Sequence, residues 1–253
     1  MKFKSAFEAW AKPRVIDGRF ANPVIGSDKS FKEFLKWRLT RKPGLWPKAM
    51  PEPVLKTFGP LREGVIELTF IGHSSFYLRT KDVGLLFDPV FADRISPVSF
   101  AGPKRLSALP FELESLPRVD CVCISHAHYD HLDLPTLQRL KKRYDPQFIV
   151  PTGNAKILEA LSADRVVELG WWQSKEITST LKVTMLPALH WSLRSGFDRN
   201  MALWASYAVE LLGKKIFLPV TRALTRILKP WPIVLEDLIG ACCPSALMSR
   251  DGL

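Results

Sequence analysis

Six residues constrain this chain most: His126-Ala127-His128-Tyr129-Asp130-His131. They follow an apolar run, Val119 to Ser125, that reads as a buried strand. They precede Leu134 to Tyr144, which reads as a helix with Asp133 at its N-cap and Pro135 in its first turn. This one connection holds three of the chain's five histidines. Alternate residues of an extended segment point the same way, so His126 and His128 can converge on one cation. Asp130 and His131 sit where the chain turns and can face a second. Imidazole nitrogen with carboxylate oxygen is a ligand set for zinc, with manganese or iron as alternatives. Hydrolysis at such a centre needs an open coordination position, where a water's pKa falls to roughly 7. A polar loop of surface histidines is the competing reading, and the density of ligand types in six residues weighs against it.

The rest of the chain supplies an α/β frame. A meander of short strands is predicted at residues 65–71, 75–79 and 83–87. Pro89 to Pro110 reads as a long loop. Further strands are predicted at 119–125, 148–150 and 181–186, with helices at 134–144 and 156–162. Interleaved strands and helices argue for α/β. Residues 1–63 form a Pro-rich, basic extension with one helix near Ser30–Leu39, wrapping a core that spans 64–218. Cys121 and Cys123 alternate in an apolar run and read as buried thiols, with a metal pair a distant second reading.

Charge is uneven. Residues 1–56 carry 13 Lys/Arg against 5 Asp/Glu, whereas residues 57–213 carry 17 of each. No basic stripe with a reading element is present, so nucleic acid is not an expected partner. Residues 29–42 alternate basic side chains with Phe31, Phe34, Leu35, Trp37 and Leu39. The preferred reading packs these apolar groups on the main domain while the lysines stay wet. The alternative is peripheral contact with anionic lipid. No apolar stretch reaches roughly 18 residues, and the N-terminus lacks a signal's apolar core, so the expected compartment is the cytoplasm.

The histidine-rich run is the H-x-H-x-D-H signature of the metallo-β-lactamase superfamily. Other stretches resemble its N-acylphosphatidylethanolamine-hydrolysing phospholipase D-like branch: Phe70-Ile71-Gly72-His73-Ser74-Ser75-Phe76, Phe87-Asp88-Pro89-Val90-Phe91, Ser96 to Arg105, and Pro187-Ala188-Leu189-His190-Trp191-Ser192 with Asp198-Arg199-Asn200 and Leu203-Trp204. Together they cover about residues 30 to 218. The resemblance implies an αββα sandwich and two zinc sites. It implies that His126, His128 and His190 bind the first metal, and that Asp130 and His131 bind the second and carry catalysis. His190 follows Pro187 into a loop, and its own chemistry leaves its role open. Asp88 ends a strand and either holds a ligand histidine in one tautomer or merely caps the strand. His73 reads as structural. Gly72 to Phe76 lacks the last glycine of a nucleophile elbow, so a serine hydrolase is rejected. Lys104 and Arg105 could meet a phosphate, though a solvated loop is the plainer reading. The implied substrate is a lipid-type phosphodiester, with a lactone or ester as alternative.

The resemblance breaks after Leu218. The pattern next requires Gly-Asp-Thr-Gly, whose Asp bridges the metals, and later another His. The chain has Pro219-Val220-Thr221-Arg222-Ala223, and no His follows His190. Read from the third base of the Pro219 codon, degenerate codons allow Gly-Asp-Thr-Gly. Residues 243–253 likewise decode to a further block of the pattern. The expectation is therefore an out-of-frame tail over 219–253, an incomplete second half, one zinc or fewer, and an impaired or inactive enzyme. Oligomeric state is not readable.

Overall fold

Among the described residues, alternating apolar residues sort all strands but an N-terminal hairpin into two sheets that face each other. The computed structural model describes residues 10–23, 31–41, 52–161 and 163–219. The tail over 220–253 lies outside them, as do residues 29, 30 and 42 of the basic segment and the prolines at 43, 47 and 51.

An N-terminal hairpin pairs β1 (Arg14–Ile16) with β2 (Arg19–Ala21). Its turn residues Asp17 and Gly18 both have positive φ, 50° and 73°. That is the backbone of a two-residue hairpin turn, which Asp-Gly favours. Helix α1 (Phe31–Thr40) follows. The larger sheet then forms in the order β3 (Glu67–Gly72), β4 (Ser75–Arg79), β5 (Gly84–Phe87), β6 (Cys121–Cys123), β7 (Gln147–Pro151) and β8 (Val166–Leu169). Its first three strands are an antiparallel meander, as predicted; from β5 onward pairing is parallel. The crossover from β6 to β7 runs through helix α2 (Leu134–Tyr144). The second sheet is antiparallel: β9 (Ser174–Thr178), β10 (Leu181–Leu186), β11 (Ser206–Leu211) and β12 (Lys214–Leu218).

Period-two alternation decides which side chain goes where. Leu85, Phe87, Cys121 and Cys123 point between the sheets, against Val183, Met185, Tyr207 and Val209. Leu86 and Val122 point the other way, onto Leu137 and Leu140 of α2. Both cysteines are buried, 4.0 Å apart at sulfur. On the outer face of the smaller sheet, Leu186, Ala208 and Phe217 meet Trp10, Trp204 and Phe20. Part of the N-terminal extension thus covers that sheet. At Gly84 a Cβ would come within 2.1 Å of the Arg118 carbonyl oxygen, so only glycine fits there.

The structure refines two expectations and departs from a third. The helix expected over 156–162 is present as a 3-10 helix, Ala155–Leu161. Asp133 sits at the N-cap of α2, but its carboxylate accepts from Phe91 N, Ala92 N and Thr136 Oγ1 rather than capping the helix. Leu35, Trp37 and Leu39 of α1 are exposed at 43%, 53% and 76%, more than the expected packing on the main domain implies. Among the described residues no helix is long and apolar enough to cross a membrane.

Candidate metal centre

The site forms where β5, β6 and β10 end and where β3 turns into β4. Strand β6 leads into Ser125 and His126. Tyr207 of the facing sheet donates to the Ile124 carbonyl at 2.6 Å, and Ala205 N donates to the Ser125 carbonyl at 3.0 Å. The two sheets are therefore tied together just before the first histidine.

His126 Nε2 lies 2.7 Å from His128 Nδ1 and 3.0 Å from His190 Nε2. His190 comes from the loop after β10, 64 residues away in sequence. His126 is fully buried, and His128 Nε2 is buried with no hydrogen-bond partner. Burial pulls the imidazole of His126 well below its ordinary pKa, that of His128 down to about 4 and that of His190 down to about 3, with neighbouring histidines adding to the effect. At neutral pH all three are uncharged, with lone pairs available. Three neutral imidazoles bring His126 Nε2, His128 Nδ1 and His190 Nε2 to one point, a donor set that fits a divalent cation.

A second group lies beside the first: His73, Asp130 and His131. Asp130 Oδ2 is 3.1 Å from His73 Nε2 and 3.8 Å from His131 Nε2. Burial alone would raise the Asp130 carboxyl; the His73 hydrogen bond and the nearby His131 outweigh it and hold the group ionised. Asp88 stands behind His131. Its Oδ2 accepts from His131 Nδ1 at 2.7 Å and from Ser125 Oγ at 2.6 Å, while its Oδ1 accepts from Ser125 N at 2.6 Å. With Nδ1–H committed to Asp88, His131 Nε2 is left to face the group. Ser75 Oγ donates to the Asp88 carbonyl at 2.5 Å, so this buried serine positions Asp88 and is no nucleophile.

Every histidine and carboxylate expected at the site is brought together. His73, expected to be structural, stands with Asp130 and His131, because the β3–β4 turn projects it over the site at φ 51°. Arg105 was expected to lie in a solvated loop; it is half-buried, with Nη2 on the Val90 carbonyl at 2.6 Å and Nη1 against Gly72. Lys104 is exposed. Two residues were missed by sequence reasoning. Arg194 donates to the Ala127 and Leu132 carbonyls and lies 3.8 Å from the Tyr129 ring centre, so it ties the His190 loop to the histidine-rich turn. Asn22 bonds the backbone of His190. Neither carries a sequence signal of its own.

The remaining motif residues fold the His190 loop. Asp198 Oδ1 accepts from Arg194 N and Ser195 N, Asn200 Oδ1 accepts from Ser192 N, and Trp204 Nε1 donates to the Ala188 carbonyl. Trp191 packs on His128 at 4.3 Å between ring centres, with the Arg199 guanidinium 4.9 Å over its face.

Comparison with known proteins agrees with this geometry. Residues 84–219 match the family described as "Beta-lactamase superfamily domain". An uncharacterised Mycobacterium tuberculosis protein is 37% identical over 204 residues, covering 78% of this chain and 54% of that protein. The mitochondrial N-acyl-phosphatidylethanolamine-hydrolyzing phospholipase D of Saccharomyces cerevisiae is 31% identical over 183 residues, covering 71% of this chain and 38% of that protein. The chain thus spans about half or less of these relatives' lengths. The isothiocyanate hydrolase from Delia radicum gut bacteria superposes with TM-score 0.50 at 20% identity, covering 66% of this chain and 69% of that one. The family match spans more than half of the sequence, and the paired sheets with their histidine-rich turn agree with it: the chain belongs to the β-lactamase superfamily and has the metallo-β-lactamase fold.

Proposed function

We propose that this protein is a zinc-dependent hydrolase of phosphodiester bonds in phospholipid-type substrates. One observation carries the reading: His126, His128 and His190, neutral and drawn from two distant loops, meet beside a second donor group of His73, Asp130 and His131. A divalent cation held by such donors supplies a Lewis acid and lowers the pKa of a coordinated water. The chain's own residues do the rest. Asp88 holds the proton on His131 Nδ1 and keeps that ring oriented. The ionised Asp130 balances cationic charge. Arg199 sits over Trp191 at the wall of the site, and its field reaches His128, where it opposes protonation. A positive charge there favours an anionic substrate. The similarity to a yeast protein named for N-acyl-phosphatidylethanolamine hydrolysis supports the lipid assignment. Exposed Leu35, Trp37 and Leu39 beside exposed Lys32 and Lys36 favour peripheral contact with an anionic membrane surface. The test is turnover of a phosphodiester chromogen and of a phospholipid against a lactone. Hydrolysis of the lactone alone would replace this reading with lactonase or ester hydrolase activity.

A second reading has its own support. The family match stops at residue 219, where Pro219-Val220-Thr221-Arg222 stands in place of the expected bridging aspartate. On that reading the 253-residue chain is a non-catalytic remnant that holds one zinc or fewer. Resequencing the gene across the codons for Lys215 to Thr225 tests it. One extra base restores a competent two-metal site; an unchanged sequence with zinc bound and no turnover supports the remnant.

A further inference from the structure

We infer that the N-terminal hairpin is a clasp that sets the ligating position of His190, and that Asn22 is its positioning residue. The inference rests on the reading of His126, His128 and His190 as a cation site.

Asn22 follows β2 directly and is buried, 4% exposed. Its Nδ2 donates to the His190 carbonyl at 2.8 Å, and its Oδ1 accepts from His190 N at 3.1 Å. The carboxamide thus pairs with His190 as another peptide group would, gripping both backbone polar atoms of one residue 168 positions away. Only Asn has this donor and acceptor at this length. Asp is isosteric but sets an oxygen against the His190 carbonyl, and Gln is one methylene too long.

The grip is not isolated. Phe20 N donates to the Asn200 carbonyl at 2.8 Å, and Asn200 N donates to the Ser192 carbonyl at 2.7 Å. Arg19 donates to the carbonyls of Phe197 and Arg199. Trp172 Nε1 donates to the Trp10 carbonyl at 2.7 Å, and Trp10 and Phe20 pack over the smaller sheet with Trp204. The His190 loop is held on its other side by Trp204 Nε1 at the Ala188 carbonyl. His190 lies between these two anchors. The loop is otherwise irregular, so without the clasp its backbone could shift, and a ligand moved by about 1 Å no longer completes the site. Residues before the family-matched region therefore contribute to the centre.

The test measures zinc affinity of the full chain by competition with a chromophoric chelator, and the visible spectrum of the cobalt-substituted protein. Asn22→Asp is expected to weaken the tightest cation by about tenfold or more and to change the cobalt spectrum. Arg19→Ala, at an exposed position, should act in the same direction but less. In a His190→Ala background neither change should weaken binding further, because the ligand they position is gone. An unchanged affinity and spectrum in both variants, or an equal loss in the His190→Ala background, would overturn the inference. If the parent protein binds no cation, the reading beneath it fails instead. If Asn22→Asp does not fold, Arg19→Ala decides the matter alone.

Discussion

The two donor groups of this site are built in opposite ways. The first, His126, His128 and His190, is buried, neutral and closed by a loop from far along the chain. The second, His73, Asp130 and His131, is partly open, charged and supported mainly from Asp88 behind it. His73 is more than half exposed, and Asp130 is one-third exposed at its side chain. Burial makes the first group pay, in desolvation, for any proton it takes up, which leaves its lone pairs free for a cation. The second group keeps a carboxylate ionised next to a histidine whose pKa is raised. The contrast implies a tight first position and a weaker second one.

The strongest way to break that contrast is His190→Ala. It should weaken the tightest cation and lower turnover, each by at least about a hundredfold, seen by metal titration and by phosphodiesterase assay. Equal metal content in the variant and the parent would show that the first group is not the tight site.

Next in size is Asp88→Asn. It should weaken the second cation by about tenfold to a hundredfold while leaving the first closer to its parent value, because Asp88 touches His131 and none of the first three histidines by side chain. Equal loss at both positions would mean that Asp88 supports the whole loop through Ser125.

Acid sharpens the comparison further. In the metal-stripped protein, His128 and His190 have folded values of about 4 and about 3, below the ordinary 6.5. The unfolded chain therefore binds more protons between these values. Stability from these groups is full above pH 6.5 and is lost as pH falls toward 4 and 3. His131 works in the opposite sense. Burial lowers its pKa, but Asp88 outweighs burial and raises it, so its contribution is present at low pH and fades as pH rises through the raised value. Thermal melts of metal-stripped parent and Asp88→Asn should show a steeper acid loss in the variant. Parallel pH profiles would contradict this assignment.

The smallest effect is expected at His73. Asn tolerates its positive φ, so His73→Asn should fold normally and weaken only the second cation, by a few-fold. No change in either affinity would return His73 to a purely structural role.

The sequence made much of this legible where the pattern is local. Leu134 to Tyr144 is an 11-residue helix with a Pro-bearing start, and it ends where expected. The histidine-rich turn announced its own chemistry through spacing alone. The hairpin at Arg14–Ala21 was missed although Asp17-Gly18 marks its turn, because the surrounding residues read as Pro-rich connection. Ser206–Leu211 was missed too, since its burial on both faces blurs the alternation of SYAVEL. Asn22, Arg194 and His73 were illegible for a different reason. Each acts on a partner that only folding brings near, 168 residues away for Asn22 and about 60 for the other two. No local periodicity encodes such a contact.

The convergence of His126, His128 and His190 from two loops on one cation is open to direct test. Titrating the metal-stripped full chain with zinc, alongside His126→Ala and His190→Ala, tests it most directly. The parent is expected to bind at least one equivalent tightly, and both variants to lose that equivalent alike. Tight binding that survives either substitution would contradict it.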